Sequence, residues 1–185
     1  MNAVIRQASY ADILELPEHV TGEILSGQLY AQPRPSSRHA HVETGLARGL
    51  FRPFDPPGGD GLGGWAILVE PELHLGAQVM VPDLAGWKRE RLPEIPDGPI
   101  DVVPDWVCEI LSPSTAVKDR KIKLPLYSQL GVGHVWIVDP HAKTIEILRN
   151  SGTHWILLAT FSDQDQMRAE PFDAIELELR HLWAW

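Results

Sequence analysis

Two acidic side chains lie inside apolar, β-rich segments of this sequence, and they restrict the folds that the chain can adopt. Asp83 stands between VMVP and LAGW, and Glu109 lies within DWVCEIL. Burying a carboxylate is costly unless a cation meets it. The cations available are a divalent metal ion, which takes oxygen ligands, and the lysines downstream of Glu109, with Lys123 as the first choice. The sequence therefore predicts one site in which both carboxylates meet a cation.

An aspartate, a glutamate from a second strand and then a lysine suit a metal-dependent phosphodiesterase. Neighbouring strands can present Asp83 and Glu109 to one hard cation, whose waters can attack a phosphate. Lys123 can then orient or deprotonate such a water and offset phosphate charge. We expect Mg²⁺ or Mn²⁺ between the two carboxylates, with the carbonyl oxygen of Ile110 as a further ligand.

A second proline-aspartate pair, Pro104-Asp105, lies closer to Glu109 in the sequence than Asp83 does. Four residues along one strand would separate Asp105 from Glu109 by roughly 13 Å, so the two cannot contact one ion. Asp83 belongs to another segment, which can pair laterally with the strand of Glu109 at about 4.8 Å. Asp83 is therefore the predicted partner.

Several segments together resemble one known family. They read VPDLAGW, EILSPST and GVGHVWIVDP, with D-x-x-x-K-x-x-x-Y at Asp119, Lys123 and Tyr127, and the likeness extends through GEILSGQLY, PRPSSRHA and EPELHL. On these motifs the chain resembles the Uma-type restriction endonucleases, a branch of the PD-(D/E)XK nuclease superfamily. The resemblance implies an α/β fold, a mixed central β-sheet flanked by helices on both faces. It also implies a metal-dependent endonuclease acting on nucleic acid, in the first place DNA.

The sequence departs from the superfamily pattern at Leu111, where the motif has lysine. The resemblance places the displaced lysine on the following helix, at Lys123, with Lys121 and Lys118 as rivals. It also suggests accessory residues, each with a simpler alternative. Glu23 faces the metal site or is an exposed edge residue, His39 is catalytic or only hydrogen-bonded, Glu72 is an outer ligand or a surface residue, and Tyr127 shares a helix face with Lys123.

Composition sets the broad class of the protein. A chain of 185 residues with 44% hydrophobic and 22% charged residues suits one globular domain, which we expect to span 1–185. No apolar run has the roughly 20 residues of a membrane span, and the first residues lack a signal peptide's apolar core, so the expected location is the cytoplasm.

The net charge of −9 opposes a nucleic-acid partner, because phosphate contacts normally need a basic surface. Two basic clusters flank the predicted site and partly answer this objection, although a solvated surface explains either cluster equally well. The clusters are Lys88, Arg89 and Arg91, and Lys118, Arg120, Lys121 and Lys123.

Local patterns place the predicted site on regular elements. Ser26-Gly27 marks a hairpin, and Ser36 or Ser37 can cap a helix that runs to about Phe51. A strand over Asp105–Leu111, a helix over Asp119–Leu130 and a strand over His134–Val138 form a βαβ unit.

The tail from Ile175 to Trp185 is unusually apolar, so we expect it to pack on the body of the protein or on another subunit. It is one reason to expect a homodimer. The other is that many nucleases must reach two strands at once.

Two other functions stay open. The first is a binding module that keeps the nuclease fold without catalysis and acts through protein contacts, which an acidic chain would suit. The second is a metal-dependent hydrolase of a phosphate ester that is not nucleic acid, since function resides in the site and not in the fold.

Overall fold

The computed structural model describes residues 6–33, 35–55 and 62–184. Its strands are, in chain order, β1 (Val20–Leu25), β2 (Gln28–Pro33), β3 (Trp65–Val69), β4 (Leu73–Leu75), β5 (Gln78–Met80), β6 (Leu84–Lys88), β7 (Trp106–Ile110), β8 (His134–Asp139), β9 (Thr144–Asn150), β10 (Trp155–Ser162), β11 (Gln166–Met167) and β12 (Leu177–Glu178). Its helices are α1 (Tyr10–Leu14), α2 (Ser37–Phe54), α3 (Ala116–Lys118) and α4 (Leu124–Leu130). A π-helical turn at Asp119–Lys123 joins α3 to α4, and a 3₁₀ turn covers Leu179–Leu182.

Six strands form the central sheet, in the order β10-β9-β8-β7-β6-β3. Within it β7 and β8 are parallel, whereas the other neighbouring strands are antiparallel. The parallel pair is joined by the helical segment from α3 to α4, so the predicted strand-helix-strand unit is confirmed. Gly131 ends α4 with φ at +88°, a left-handed conformation that glycine adopts at low cost.

A second sheet of four antiparallel strands, β2-β1-β5-β4, was not predicted. The β1/β2 hairpin turns at Ser26-Gly27, as the sequence indicates, and both residues have positive φ angles. The apolar segment around Asp83 is divided between the two sheets, because β5 ends at Met80 in the second sheet and β6 begins at Leu84 in the central one. Pro82 lies in the break, where its missing N–H is tolerated.

Helices cover both faces of the central sheet, as predicted. On one face, Val42, Leu46 and Leu50 of α2 pack with Trp106 and Cys108 of β7. Consecutive side chains of a strand point to opposite faces. Accordingly Val107 belongs to the other cluster, which includes Leu126 and Tyr127 of α4. Glu109 also points to that second face, toward the helix that carries Lys123.

The apolar C-terminal tail packs on the body of its own chain. Leu179, Leu182 and Trp183 are buried in the cluster on the α2 face, and the indole N–H of Trp183 donates to the carbonyl of Asp163 at 3.0 Å. Close packing on α2 requires Gly45, since a Cβ there would lie 2.7 Å from Leu182. Trp185 lies outside the described residues.

None of the helices in the described ranges is both long and apolar enough to cross a membrane.

Candidate active site

Asp83 lies at the entrance to β6, beside the end of β7. The pairing of Leu84 with Cys108, continued by one residue, sets Asp83 next to Glu109. Oδ2 of Asp83 accepts the backbone N–H of Ile110 at 2.5 Å. This hydrogen bond fixes the carboxylate at the end of β7, next to the residue that it was predicted to join.

Lys123 reaches Glu109 from the helical segment. Its Nζ lies 2.7 Å from Oε1 of Glu109 and 3.0 Å from Oε1 of Glu23, and it donates to the carbonyl of Val81 at 3.1 Å. Lys123 is only 1% exposed, so charge and hydrogen bonds to these acceptors replace its hydration. The hydroxyl of Tyr127 donates to the same Glu109 oxygen at 2.5 Å.

The π-helical turn lies just before a proline, Pro125. The N–H of Leu124 bonds to the carbonyl of Asp119, five residues earlier. Pro125 has no N–H with which to continue an α-helical ladder, so it follows the turn and lies at the start of α4. Asp119, Lys123 and Tyr127 are all buried on one side of this segment, whereas Lys121 is exposed. Single π turns are frequent at functional sites.

Glu23 is the centre of the buried ion cluster. It is 0% exposed, its Oε1 accepts the N–H of Val81 at 2.9 Å, and its Oε2 contacts Lys118. Burial raises the pKa of Glu23, but the charges of Lys123 and Lys118 outweigh burial and lower it. The alternative of an exposed edge glutamate is therefore wrong. Both oxygens are occupied by protein groups, so Glu23 positions the lysines.

Lys123 remains a cation in this environment. Burial opposes its charge, but Glu109 and Glu23 outweigh burial and hold the pKa of Lys123 well above its usual value. An ammonium group donates hydrogen bonds and stabilises negative charge, and it cannot accept a proton. The arrangement therefore suits charge stabilisation better than general-base work.

His39 and Glu43 lie on the α2 side of Asp83. His39 Nε2 is 3.2 Å from Oδ1 of Asp83, and although burial lowers the pKa of His39, the bond to Asp83 outweighs burial and raises it. Burial, with the charges of Asp83 and Glu70, raises the pKa of Glu43 to about 7. His39 Nδ1 and Glu43 Oε1 are buried with no hydrogen-bond partner among the described residues.

Sequence reasoning did not assign Glu43 to the site. The only signal was its position one helical turn after His39, on the same face of α2.

A cavity of about 300 Å³ opens onto these groups. Asp83, Glu109, Ile110, His39 and Lys123 line it, and residues from both sheets complete it. Glu70, which was not predicted, also lines it, and its backbone has a φ of +45°, an uncommon conformation for a residue other than glycine. The N–H of Glu70 donates to the carbonyl of Asp83 at 2.9 Å.

The oxygen donors of the site suit a hard divalent cation that takes only a few of its ligands from the protein. Within the described ranges, no group of three or more His, Cys, Asp or Glu side chains is arranged as a metal cluster. Mg²⁺ is usually held by one or two carboxylates and keeps several waters or substrate oxygens. Asp83 and Glu109 supply that number, and both protein contacts to Glu109 use Oε1, which leaves Oε2 as the oxygen to bind a cation.

Several residues considered from the sequence do not join the site. Glu72 bonds to the hydroxyl of Tyr10 at 2.8 Å and to His74 at 2.7 Å, and it does not line the cavity. Asp105 pairs with Arg91 at the opposite end of β7, as the strand geometry predicts. Lys118, the rival of Lys123, contacts Glu23.

Most residues of the two basic clusters are engaged within the protein. Arg89 pairs with Asp55, and Arg120 pairs with Glu146. Lys118 and Lys123 belong to the buried ion cluster, and Arg91 is held by Asp105. The clusters that the sequence offered for phosphate contacts therefore serve largely to hold the fold together.

Comparison with solved structures supports this architecture. A putative nuclease belonging to DUF820 from Anabaena variabilis superposes with a TM-score of 0.71, at 21% sequence identity, over 95% of this chain and 97% of that one. The likeness shows that the fold is restriction-endonuclease-like. The search of curated proteins finds no match.

The family comparison covers most of the chain. The family model Uma2, with the description "Putative restriction endonuclease", matches residues 10–180, which include all three residues predicted to carry the chemistry. The chain therefore belongs to the Uma2 restriction endonuclease family.

Proposed function

We propose that this protein is a metal-dependent endonuclease that hydrolyses phosphodiester bonds of nucleic acid, in the first place DNA. The observation that carries the proposal is the meeting of Asp83, Glu109 and Lys123 around one open cavity. A fold that had lost catalysis would tend to lose the lysine or fill the cleft. Here the lysine is present and the cavity remains open.

Asp83, Glu109 and the carbonyl of Ile110 are the groups that would hold Mg²⁺ or Mn²⁺. Such an ion supplies an activated water and neutralises charge on the phosphate. His39 and the N–H of Ile110 orient Asp83, whereas Tyr127 orients Glu109. These second contacts set the direction of each carboxylate before any substrate arrives.

Lys123 stabilises the charge of the phosphate that is attacked. An ammonium has three donors, and Glu109, Glu23 and Val81 already accept from it. Lys123 must therefore release one acceptor before it can contact a substrate. The carbonyl of Val81 is uncharged and lies farthest from Nζ, at 3.1 Å, so it is the acceptor that Lys123 would release for a substrate phosphate.

The test uses the purified protein with supercoiled plasmid DNA and Mg²⁺ or Mn²⁺. Asp83→Asn and Glu109→Gln should each lower cleavage by a hundredfold or more, on the order expected for loss of a metal ligand. Calorimetric titration with Mn²⁺ should show weakened binding in both variants. Asp105→Asn is the matched control, since it changes the other proline-aspartate pair, and it should cleave as the parent does.

Three results would contradict the proposal. Plasmid cleavage that persists in EDTA or in Asp83→Asn would show that another site acts. A protein that binds Mn²⁺ and hydrolyses a small phosphodiester but leaves DNA and RNA intact would be a hydrolase of a different phosphate ester. Binding of nucleic acid with no hydrolysis under any metal would favour the inactive binding module.

The homodimer remains part of the proposal on one ground only. The apolar tail packs on its own chain, so it no longer argues for a partner subunit. What is left is the need of a nuclease to reach both strands of a duplex, which a C₂ pair meets. Light scattering at tens of micromolar, about the concentration range in which a weak dimer forms, should give twice the chain mass. A mass equal to one chain would contradict the homodimer.

A further inference from the structure

The outer face of α2 carries a row of basic side chains, here called the basic stripe: Arg38, His41, Arg48 and Arg52. At about 100° per residue these four positions lie within an arc of about 80°. All four are exposed. The acidic residue of α2, Glu43, is buried on another side of the helix. The stripe is therefore uniformly basic, on a protein whose net charge is −9.

Arg48 and Arg52 differ from most other basic residues of the protein. Neither has a carboxylate partner among the described residues. By contrast, ten other basic residues in the described part of the chain each form an ion pair with an aspartate or glutamate: Arg6, Arg89, Arg91, Lys118, Arg120, Lys123, Lys143, Arg149, Arg168 and Arg180. Guanidinium groups that no protein carboxylate neutralises are suited to bind an external anion.

A groove runs beside the stripe, between α2 and the C-terminal segment. Gly45 and Gly49 form its floor, because their missing side chains let Leu182 and Leu177 approach the helix. Two carboxylates also line this groove, but each is already engaged: Glu176 with Arg168, and Glu178 with Arg180 and His181. The charge that the groove offers an approaching ligand is therefore carried by Arg48 and Arg52.

The stripe begins at the candidate active site. Arg38 precedes His39, whose ring contacts Asp83, and Arg52 lies near the far end of α2. Fourteen residues at 1.5 Å give a length of about 21 Å, which is the axial rise of about six base pairs at 3.4 Å each. A duplex bound at the cavity could extend along the helix over that distance.

We propose that the basic stripe binds the phosphate backbone of duplex DNA flanking the bond to be cleaved. This inference rests on the nucleic-acid substrate proposed above. It explains how an acidic chain can bind a polyanion, since Arg48 and Arg52, which have no carboxylate partner among the described residues, lie on the same exposed side of α2. The contact is to phosphates, so it is independent of base sequence.

The experiment measures binding separately from cleavage. Fluorescence anisotropy of a labelled 24-base-pair duplex is followed in EDTA, which blocks metal-dependent hydrolysis, at KCl concentrations from 50 to 200 mM. Replacing Arg48→Gln and Arg52→Gln together should weaken binding about tenfold and lower the slope of log K against log salt by about 2, since each phosphate contact contributes close to one. Arg48→Lys with Arg52→Lys should restore most of the affinity.

The control variant, Arg6→Gln with Arg149→Gln, removes the same two positive charges from the segment before α1 and from strand β9, neither of which belongs to the stripe. Its affinity should stay within about twofold of the parent, as expected for a loss of general attraction alone. If the α2 glutamine pair binds as the parent does while the parent cleaves DNA, the stripe proposal fails and the proposed function stands. If the parent neither binds nor cleaves nucleic acid, both fail.

Two further outcomes separate the proposals. Stripe-dependent binding of the duplex without cleavage would support the stripe and overturn the nuclease. Stripe-dependent binding to phosphatidylserine vesicles, with no binding to duplex DNA, would overturn the stripe proposal in favour of an anionic membrane surface.

Discussion

Lys123 shows how one side chain serves both stability and chemistry. It lies between Glu23 and Glu109, and each of its ammonium protons has an acceptor. Taking charges out of water is costly, so the lysine and the carboxylates are tolerated in the interior only together. The residue that we propose to stabilise the substrate's charge is therefore also the residue that neutralises the buried carboxylates.

Lys123→Ala should lower the free energy of unfolding by about 3 kcal/mol or more, because it leaves the buried carboxylate of Glu109 without its cation. Lys121→Ala, on the exposed side of the same helical segment, should change it by about 0.5 kcal/mol or less. Urea unfolding followed by circular dichroism measures both. Equal midpoints for the parent and Lys123→Ala would show that the cluster is not held in this way.

A double variant isolates the charge effect. Adding Glu109→Gln to Lys123→Ala removes the carboxylate that loses its cation, and it should recover part of the lost stability. If the two changes were simply additive, the loss would come from packing of the lysine stem and not from unpaired charge.

At this scale the sequence predicted the residues that break an apolar pattern. Asp83 and Glu109 were found because charge in a β-rich run is costly. Lys123 was chosen because two buried carboxylates need a cation and the resemblance places the displaced lysine on the helix that follows Glu109. Glu43 was missed, since a glutamate on a helix ordinarily faces solvent. Glu72 was considered as an outer ligand because it is near Asp83 in the sequence, with a surface residue as the alternative, but it does not line the cavity and its partners are Tyr10 and His74.

At the scale of elements, the strongly patterned segments were predictable and the joints between them were not. The hairpin at Ser26-Gly27, the helix capped at Ser36 and the strands flanking α4 follow from turn residues and apolar spacing. The break between β5 and β6 arises because the two strands join different sheets, which depends on tertiary contacts and not on the local sequence. Pro125 is compatible with either a kink or a π turn in the helical segment, and nothing in the local sequence distinguishes the two.

The packing of the C-terminal tail on α2 predicts a stability effect that can be measured. Leu179 is fully buried in the cluster on the α2 face, so Leu179→Ala should cost roughly 2 to 4 kcal/mol of stability through lost apolar contact and the cavity left behind. Leu157→Ala is the matched control, because that leucine is 57% exposed on β10. Chemical denaturation of both variants measures the difference, and equal losses would mean that the tail does not pack as described.

At the scale of the whole molecule, the two sheets are joined by both packing and charge. Leu25, Leu73 and Met80 of the smaller sheet belong to the same buried cluster as Val107 and Tyr127 of the central sheet and α4. Glu23 adds a second link, since it lies on β1 and pairs with Lys123 beside β7. The cavity of the candidate active site lies where the two sheets meet, so its geometry depends on both staying in place.

This coupling predicts that the protein unfolds as one unit over residues 1–185. Separating the smaller sheet from the central one would expose a shared apolar cluster and strand the buried charges of Glu23 and Lys123. Scanning calorimetry should therefore show a single transition whose calorimetric and van't Hoff enthalpies agree, near 130 kcal/mol at about 60 °C for a chain of this length. Tryptophan fluorescence and far-ultraviolet circular dichroism should give coincident curves. Two resolved transitions, or an early loss of Mn²⁺ binding while the secondary structure persists, would mean that the smaller sheet is an independent unit and that the site can open without global unfolding.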